Sequence, residues 1–211
     1  MLLSVLFLLA LDLPEGLSAE DAAGACSVNV QTAVSGETSQ AALYRYEADT
    51  EEWSLLELDG APPSDEQMAQ FKAGERGPLQ NNYPTTVALA EALALEPLGE
   101  RDGASVYRAD RLPEGTIQVE GRDISKHTAL EIEVVEDAFG PMIRRQRMYA
   151  PKPFRMAMVA RVMASEYLTD YDRMPDGSII TKSTLTASEF KMMGRDRSIR
   201  AETVFSGYDC G

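Results

Sequence analysis

The chain has 211 residues, 44% of them apolar and 26% charged, which suits one ordinary domain with a sizeable core. Its formal charge of −14 is unevenly spread: residues 1–100 hold 3 basic against 17 acidic side chains, and residues 101–211 hold 17 of each. An acidic front half, with no basic stripe interleaved with aromatics, argues against nucleic acid as a partner.

The N-terminal run MLLSVLFLLALDL is apolar but too short to span a bilayer comfortably, and Pro14, Gly16 and small residues follow it. That is the layout of a secretory signal, except that no Lys or Arg precedes the run. Leu17-Ser18-Ala19 and Ala23-Gly24-Ala25 are candidate cleavage sites; a buried helix over residues 1–13 is the competing reading. Residues 1–25 are therefore read as a signal-peptide-like segment, and the protein as periplasmic or secreted. Cys26 and Cys210 are the two cysteines. In an oxidising compartment they are placed to form one disulfide closing almost the whole domain. Two alternatives stay open: two free thiols, or lipidation of Cys26, whose preceding Ala23-Gly24-Ala25 half-resembles a lipoprotein box.

Residues 26–40 are polar and read as a linker or an edge strand, ahead of a single domain over residues 41–211. Leu43–Tyr46 and Trp53–Leu58 read as strands, the second ended by Asp59-Gly60. Trp53, the single tryptophan, is expected to anchor a core, with ligand stacking as the alternative. Ser64 and Gln67 sit at capping-box spacing, which predicts a helix over Asp65–Lys72 that Gly74 stops. A second helix is predicted over Thr85–Leu95, capped by Thr85, with Val87, Leu89, Ala90, Leu93 and Ala94 at helical spacing. It is apolar nearly all round, so it is expected to lie buried as a lid.

From Ser105 onward the chain reads as strand after strand. The segments are Val106–Ala109, Thr116–Glu120, Thr128–Glu136, Pro141–Ala150, Phe154–Ser165, Ser178–Met193 and Ser198–Phe205. Gly and Pro turns between them, without helices, predict antiparallel meanders. Leu130, Ile132 and Val134 alternate with Glu131 and Glu133, so both carboxylates are expected on a solvated face. In Phe154–Ser165 the same period places Met156, Met158, Ala160, Val162 and Ala164 together. The predicted fold class is α+β: a strongly curved antiparallel sheet, a half-barrel, with two or three helices covering its concave face.

No pattern for catalysis emerges. His127 is the single histidine and is expected at a turn or surface, so no metal site is predicted. There is no phosphate loop, dinucleotide fingerprint or paired nucleophile and base, and the chain is read as non-enzymatic, without cofactors. Arg144, Arg145, Arg147, Arg155 and Arg161 cluster on two neighbouring segments. Either Arg145 and Arg161 look inward as polar anchors in an apolar concavity, or these arginines line the wet side. Eight of the ten methionines lie between residues 142 and 193. Such adaptable side chains suit a site for variable hydrophobic ligands or fill an ordinary core. The candidate cavity residues are Leu89, Leu93, Met156, Met158, Val162 and Met192.

The buried segment Thr85–Leu95 and the strand series from Val106 to Phe205, in an exported chain, resemble the bacterial lipoprotein-carrier (LolA/LolB-like) family. KPFRMAMVARVMASEY, followed by Pro175-Asp176-Gly177, is similar to the long central hairpin of such a half-barrel. The stretch YRYEADTEEWSLLELDGAPPSDEQM is similar to uncharacterised exported proteins of proteobacteria. The resemblance implies an apolar cavity between sheet and helices that holds acyl chains. The expected partner is then a hydrophobic small molecule, a lipid or an acylated protein, with peripheral association with the membrane left open. The alternative is a structural or interaction module of the cell envelope with a fully packed interior. No oligomeric state is assigned.

Overall fold

The computed structural model describes Pro14 and residues 16–74, 76–119, 121–157 and 160–210. The apolar run over residues 1–13 and the candidate Met158 lie outside the described residues. The front of the chain forms β1 (Ser27–Ser35), β2 (Gln40–Glu47), β3 (Glu52–Leu58), α1 (Asp65–Ala73) and α2 (Tyr83–Ala92). An edge hairpin follows, β4 (Glu96–Arg101) and β5 (Ala104–Ala109), then a short ribbon of β6 (Gln118–Val119) and β7 (Arg122–Asp123). The remainder is β8 (Ala129–Asp137), β9 (Gly140–Tyr149), β10 (Phe154–Ala157), β11 (Ala160–Arg173), β12 (Ile179–Met192) and β13 (Arg195–Asp209).

All strands but the ribbon join one open antiparallel sheet in the order β3-β2-β1-β13-β12-β11-β9-β8-β5-β4, with β10 also paired to β11. The segment read as a linker or an edge strand is thus an interior strand, β1, between β2 and β13. Cross-strand partners share a face, so the register defines a row running across the sheet. It passes from Ala42 through Thr32, Thr203, Thr184, Thr169, Gln146 and Ile132 to Tyr107. This row is apolar at both ends and hydroxyl-rich in the middle.

That pattern explains why the predicted fold class is wrong. The described residues hold two helices on one large open sheet, not an α+β half-barrel whose concave face is covered by two or three helices. Each helix covers only the apolar patch at its own end. Phe71 of α1 packs with Ala42 and Leu55, and its ring stacks on Tyr44 at 5.8 Å. At the other end α2 buries Tyr83, Val87 and Ala90 against Leu130, Ile132 and Ile143. Between them lies a polar stretch in which the Thr32 and Thr203 hydroxyls meet at 3.2 Å, while Thr169 is fully buried.

Local signals explain the helix limits. The capping box is formed: the Ser64 hydroxyl accepts from Gln67 N–H at 3.3 Å, and Gln67 Oε1 accepts from Ser64 N–H at 2.7 Å. The second helix begins at Tyr83, two residues before the predicted cap, because Pro84 fits its first turn. Thr86 is thereby carried into the core, where its hydroxyl meets Gln146 Oε1 at 2.9 Å and the Tyr171 hydroxyl at 2.6 Å. The predicted strand Phe154–Ser165 is instead a hairpin, with Arg155 opposite Arg161 and Phe154 opposite Val162. No Gly or Pro marks that reversal, so the period-two pattern runs straight through it.

Cys26 and Cys210 are joined in a disulfide across 184 residues, just outside the Ser27–Asp209 pair of β1 and β13. The Cys26 sulfur is therefore engaged in this bond and not in a thioether to lipid. The bond is compatible with an oxidising extracellular compartment. Among the described residues no helix is long and apolar enough to cross a membrane.

Three phenols tie the core to alkaline pH. Burial raises the Tyr171, Tyr208 and Tyr83 hydroxyls above the ordinary 10.0. The unfolded chain loses those protons near the ordinary value, while the folded chain keeps them. Stability is then flat below that point and falls above it. Thermal melts are expected to show a constant Tm from neutral pH to about pH 9.5 and a decline beyond, shallower in Tyr171→Phe. An equally steep decline in that variant would remove the phenol as its cause.

Candidate functional site

The β5–β8 connection, residues 110–128, folds over the helix-bearing face beside α2. Its frame is built from local polar contacts. Leu112 is buried, and its N–H donates to the Ser125 and Thr128 carbonyls at 3.3 and 3.0 Å. Ser125, fully buried, accepts from Ile117 N–H at 2.9 Å. The Asp123 carboxylate accepts from the N–H groups of Ser125 and Gly115, both at 2.9 Å. The Ser125 hydroxyl, then its N–H and that of Gly115, hold the Asp123 carboxyl below the usual range. Two contacts fasten the connection to β10. Arg122 donates to the Met156 carbonyl at 2.6 Å, and the His127 ring stacks on Phe154 at 4.5 Å. His127 is thus a turn residue with a packing role.

Beneath this roof lies a cleft of about 370 Å³. Ile117, Val119 and Ile124 hang from the connection, Met148 and Tyr167 rise from the sheet, and Phe154 closes one end. The Ser165, Thr186 and Ser188 hydroxyls sit on its floor, the two serines 3.3 Å apart. Tyr167 also borders a second hollow of about 210 Å³, walled by Leu79, Asn81, Phe205 and Tyr208. The larger cleft is almost wholly apolar and has no acid–base pair on its walls. Among the described residues no three His, Cys, Asp or Glu side chains are grouped to hold a metal ion.

The residues proposed from sequence scatter. Leu89 and Leu93 pack into the core under α2, outside the cleft. Val162 is buried opposite Phe154, and Met156 is half-buried on β10. Met192 is exposed near the end of β12. Neither arginine lies in the cleft. Arg145 is on the opposite face, its Nε 2.6 Å from Asp170, and Arg161 is exposed on that face too. Sequence reasoning overlooked Ile117, Ile124 and Tyr167 and held Met148 only as one of the clustered methionines, although the apolar spacing of the 117–124 segment was a usable signal.

The opposite face holds a charge lattice rather than a solvated stripe. Glu131 and Glu133 are only 6% and 4% exposed, so the expectation of solvated carboxylates is corrected. Arg101 from the edge strand reaches Glu131 at 2.7 Å and Glu133 at 3.5 Å, and Arg144 reaches Glu133 at 2.9 Å. Arg147 pairs with Glu166 at 2.6 Å. No family model, curated protein or solved structure matches this chain.

Proposed function

We propose that the protein is a non-enzymatic binding protein, periplasmic or secreted, that holds an apolar ligand such as a lipid acyl chain beneath the 117–124 roof. The observation that carries this reading is the apolar cleft of about 370 Å³, a volume within the range of small-molecule sites. The floor hydroxyls would orient one polar end of the ligand, and the methionine and aromatic walls would adapt to its chain. The lipoprotein-carrier resemblance contributes only the ligand class to this reading.

Uptake of a fluorescent fatty acid by the full chain tests it. Saturable binding is expected, and Thr186→Trp, which fills the cleft from an exposed strand position, should weaken it. Excluding two methylenes costs about 1.6 kcal/mol, or about fifteenfold in affinity. Absence of uptake, or equal affinity in the variant, rejects the cleft. A packed structural or interaction module is the second reading, favoured by the interface under α2, which Tyr83, Val87 and Ala90 fill. Failure of uptake would leave that reading standing.

A further inference from the structure

On the face that carries the charge lattice, the far end of the long strands breaks the lattice's rule of alternating sign. Arg155 lies directly opposite Arg161, and Arg161 directly opposite Lys191, across three neighbouring strands. Like charges directly opposite destabilise a sheet; where Glu47 faces Glu52 on β2 and β3, Arg45 pairs with Glu47 at 2.9 Å. Arg155 and Arg161 form no ion pair among the described residues. Lys191 has only Asp196 at 3.8 Å. Residues 151–163 hold three basic and no acidic side chains, and residues 189–200 four basic against two acidic, in a chain of net charge −14.

The same end exposes apolar side chains. The β12–β13 hairpin turns on Met193 and Gly194, at φ values of 49° and 80°. Two-residue turns with both φ values positive favour Asn-Gly. Here a methionine occupies the strained position and is 78% exposed, beside Met192 at 43%. Met163 is exposed nearby on β11. Neither the cation row nor the apex methionine helps the fold, so both point outward to a partner.

We infer that this hairpin end docks on a membrane surface bearing anionic lipid headgroups. Arg155, Arg161 and Lys191 meet the phosphates, while Met192 and Met193 enter the boundary between headgroups and acyl chains. The acidic remainder of the protein is repelled by such a surface, so the field itself selects the basic end for contact. This docking goes beyond the ligand cleft and does not rest on what the cleft holds.

Co-sedimentation of the full chain with vesicles of phosphatidylcholine, with and without phosphatidylglycerol, tests the inference. Binding is expected only to the anionic vesicles, declining as salt is raised. Each cation replaced, in Arg155→Gln, Arg161→Gln and Lys191→Gln, should lower partitioning about fivefold, and the triple variant about a hundredfold. Met193→Asn should also weaken binding several-fold while keeping or raising Tm, because it suits the turn better. Relief of like-charge contacts means the triple variant should melt no lower than the native chain, so lost binding cannot be ascribed to unfolding. Thr186→Trp should bind vesicles unchanged. Absence of anionic-vesicle binding, equal binding to neutral vesicles, or native partitioning by the triple variant would each overturn the proposal.

Discussion

Replacing both Cys26 and Cys210 by alanine is expected to lower the unfolding free energy by about 4–5 kcal/mol. The bond closes a loop of 184 residues, so most of its effect lies in the entropy it removes from the unfolded chain. It sits beside the last pair of the β1–β13 ladder and holds the start of β1 against the end of β13. Denaturant titration should therefore show two changes together: a lower midpoint, and a steeper slope as the unfolded ensemble expands. The native chain in reductant should match the double variant, and the variant itself should ignore reductant. An unchanged midpoint in the variant would mean that the bond contributes nothing to stability.

The second large effect is expected from the charge lattice. Removing both Arg101 and Arg144 as alanine would leave Glu131 and Glu133 buried without the guanidinium groups that cover them. Uncovering a buried charge costs far more than an exposed pair contributes, and a loss of about 3 kcal/mol is expected for the double variant. Arg101 is half-exposed, so Arg101→Ala alone should cost about 1 kcal/mol. Adding Glu131→Gln and Glu133→Gln to the double variant should restore part of the loss, since a neutral amide is easier to bury. Urea unfolding of the four proteins reads this directly. A double-variant loss below about 0.5 kcal/mol would show that water, and not arginine, satisfies these carboxylates.

How much of this was legible in the sequence depends on how local each signal is. The capping box at Ser64 and Gln67 involves residues three apart, and the structure forms it as read. The two cysteines could be paired from compartment logic alone, without knowledge of the fold. The edge strand Glu96–Arg101 escaped notice because every residue in it is exposed and Pro97 and Gly99 interrupt it. Such interruptions are what a protected sheet edge needs. The burial of Glu131 could not be read from its own strand, since its cover comes from Arg101, thirty residues earlier. The lid expectation failed for a different reason. Thr32, Thr184 and Thr203 are far apart in sequence, and only the register shows that they form one polar row dividing the two apolar patches. The cleft combines a connection, a turn and four strands, so no single stretch announces it.

The position of β1 sets the order in which the molecule can be completed. Its neighbours are β2, reached at once, and β13, the last strand among the described residues. Until residues 195–209 exist, the β1–β3 meander has an unpaired inner edge and nothing to join it to the rest of the sheet. Such edges recruit strands from other molecules, and pairing across so long a separation is slow. Completion of the sheet must therefore wait for residues 195–209, and in that interval an escort that shields β1 would raise the yield of native protein.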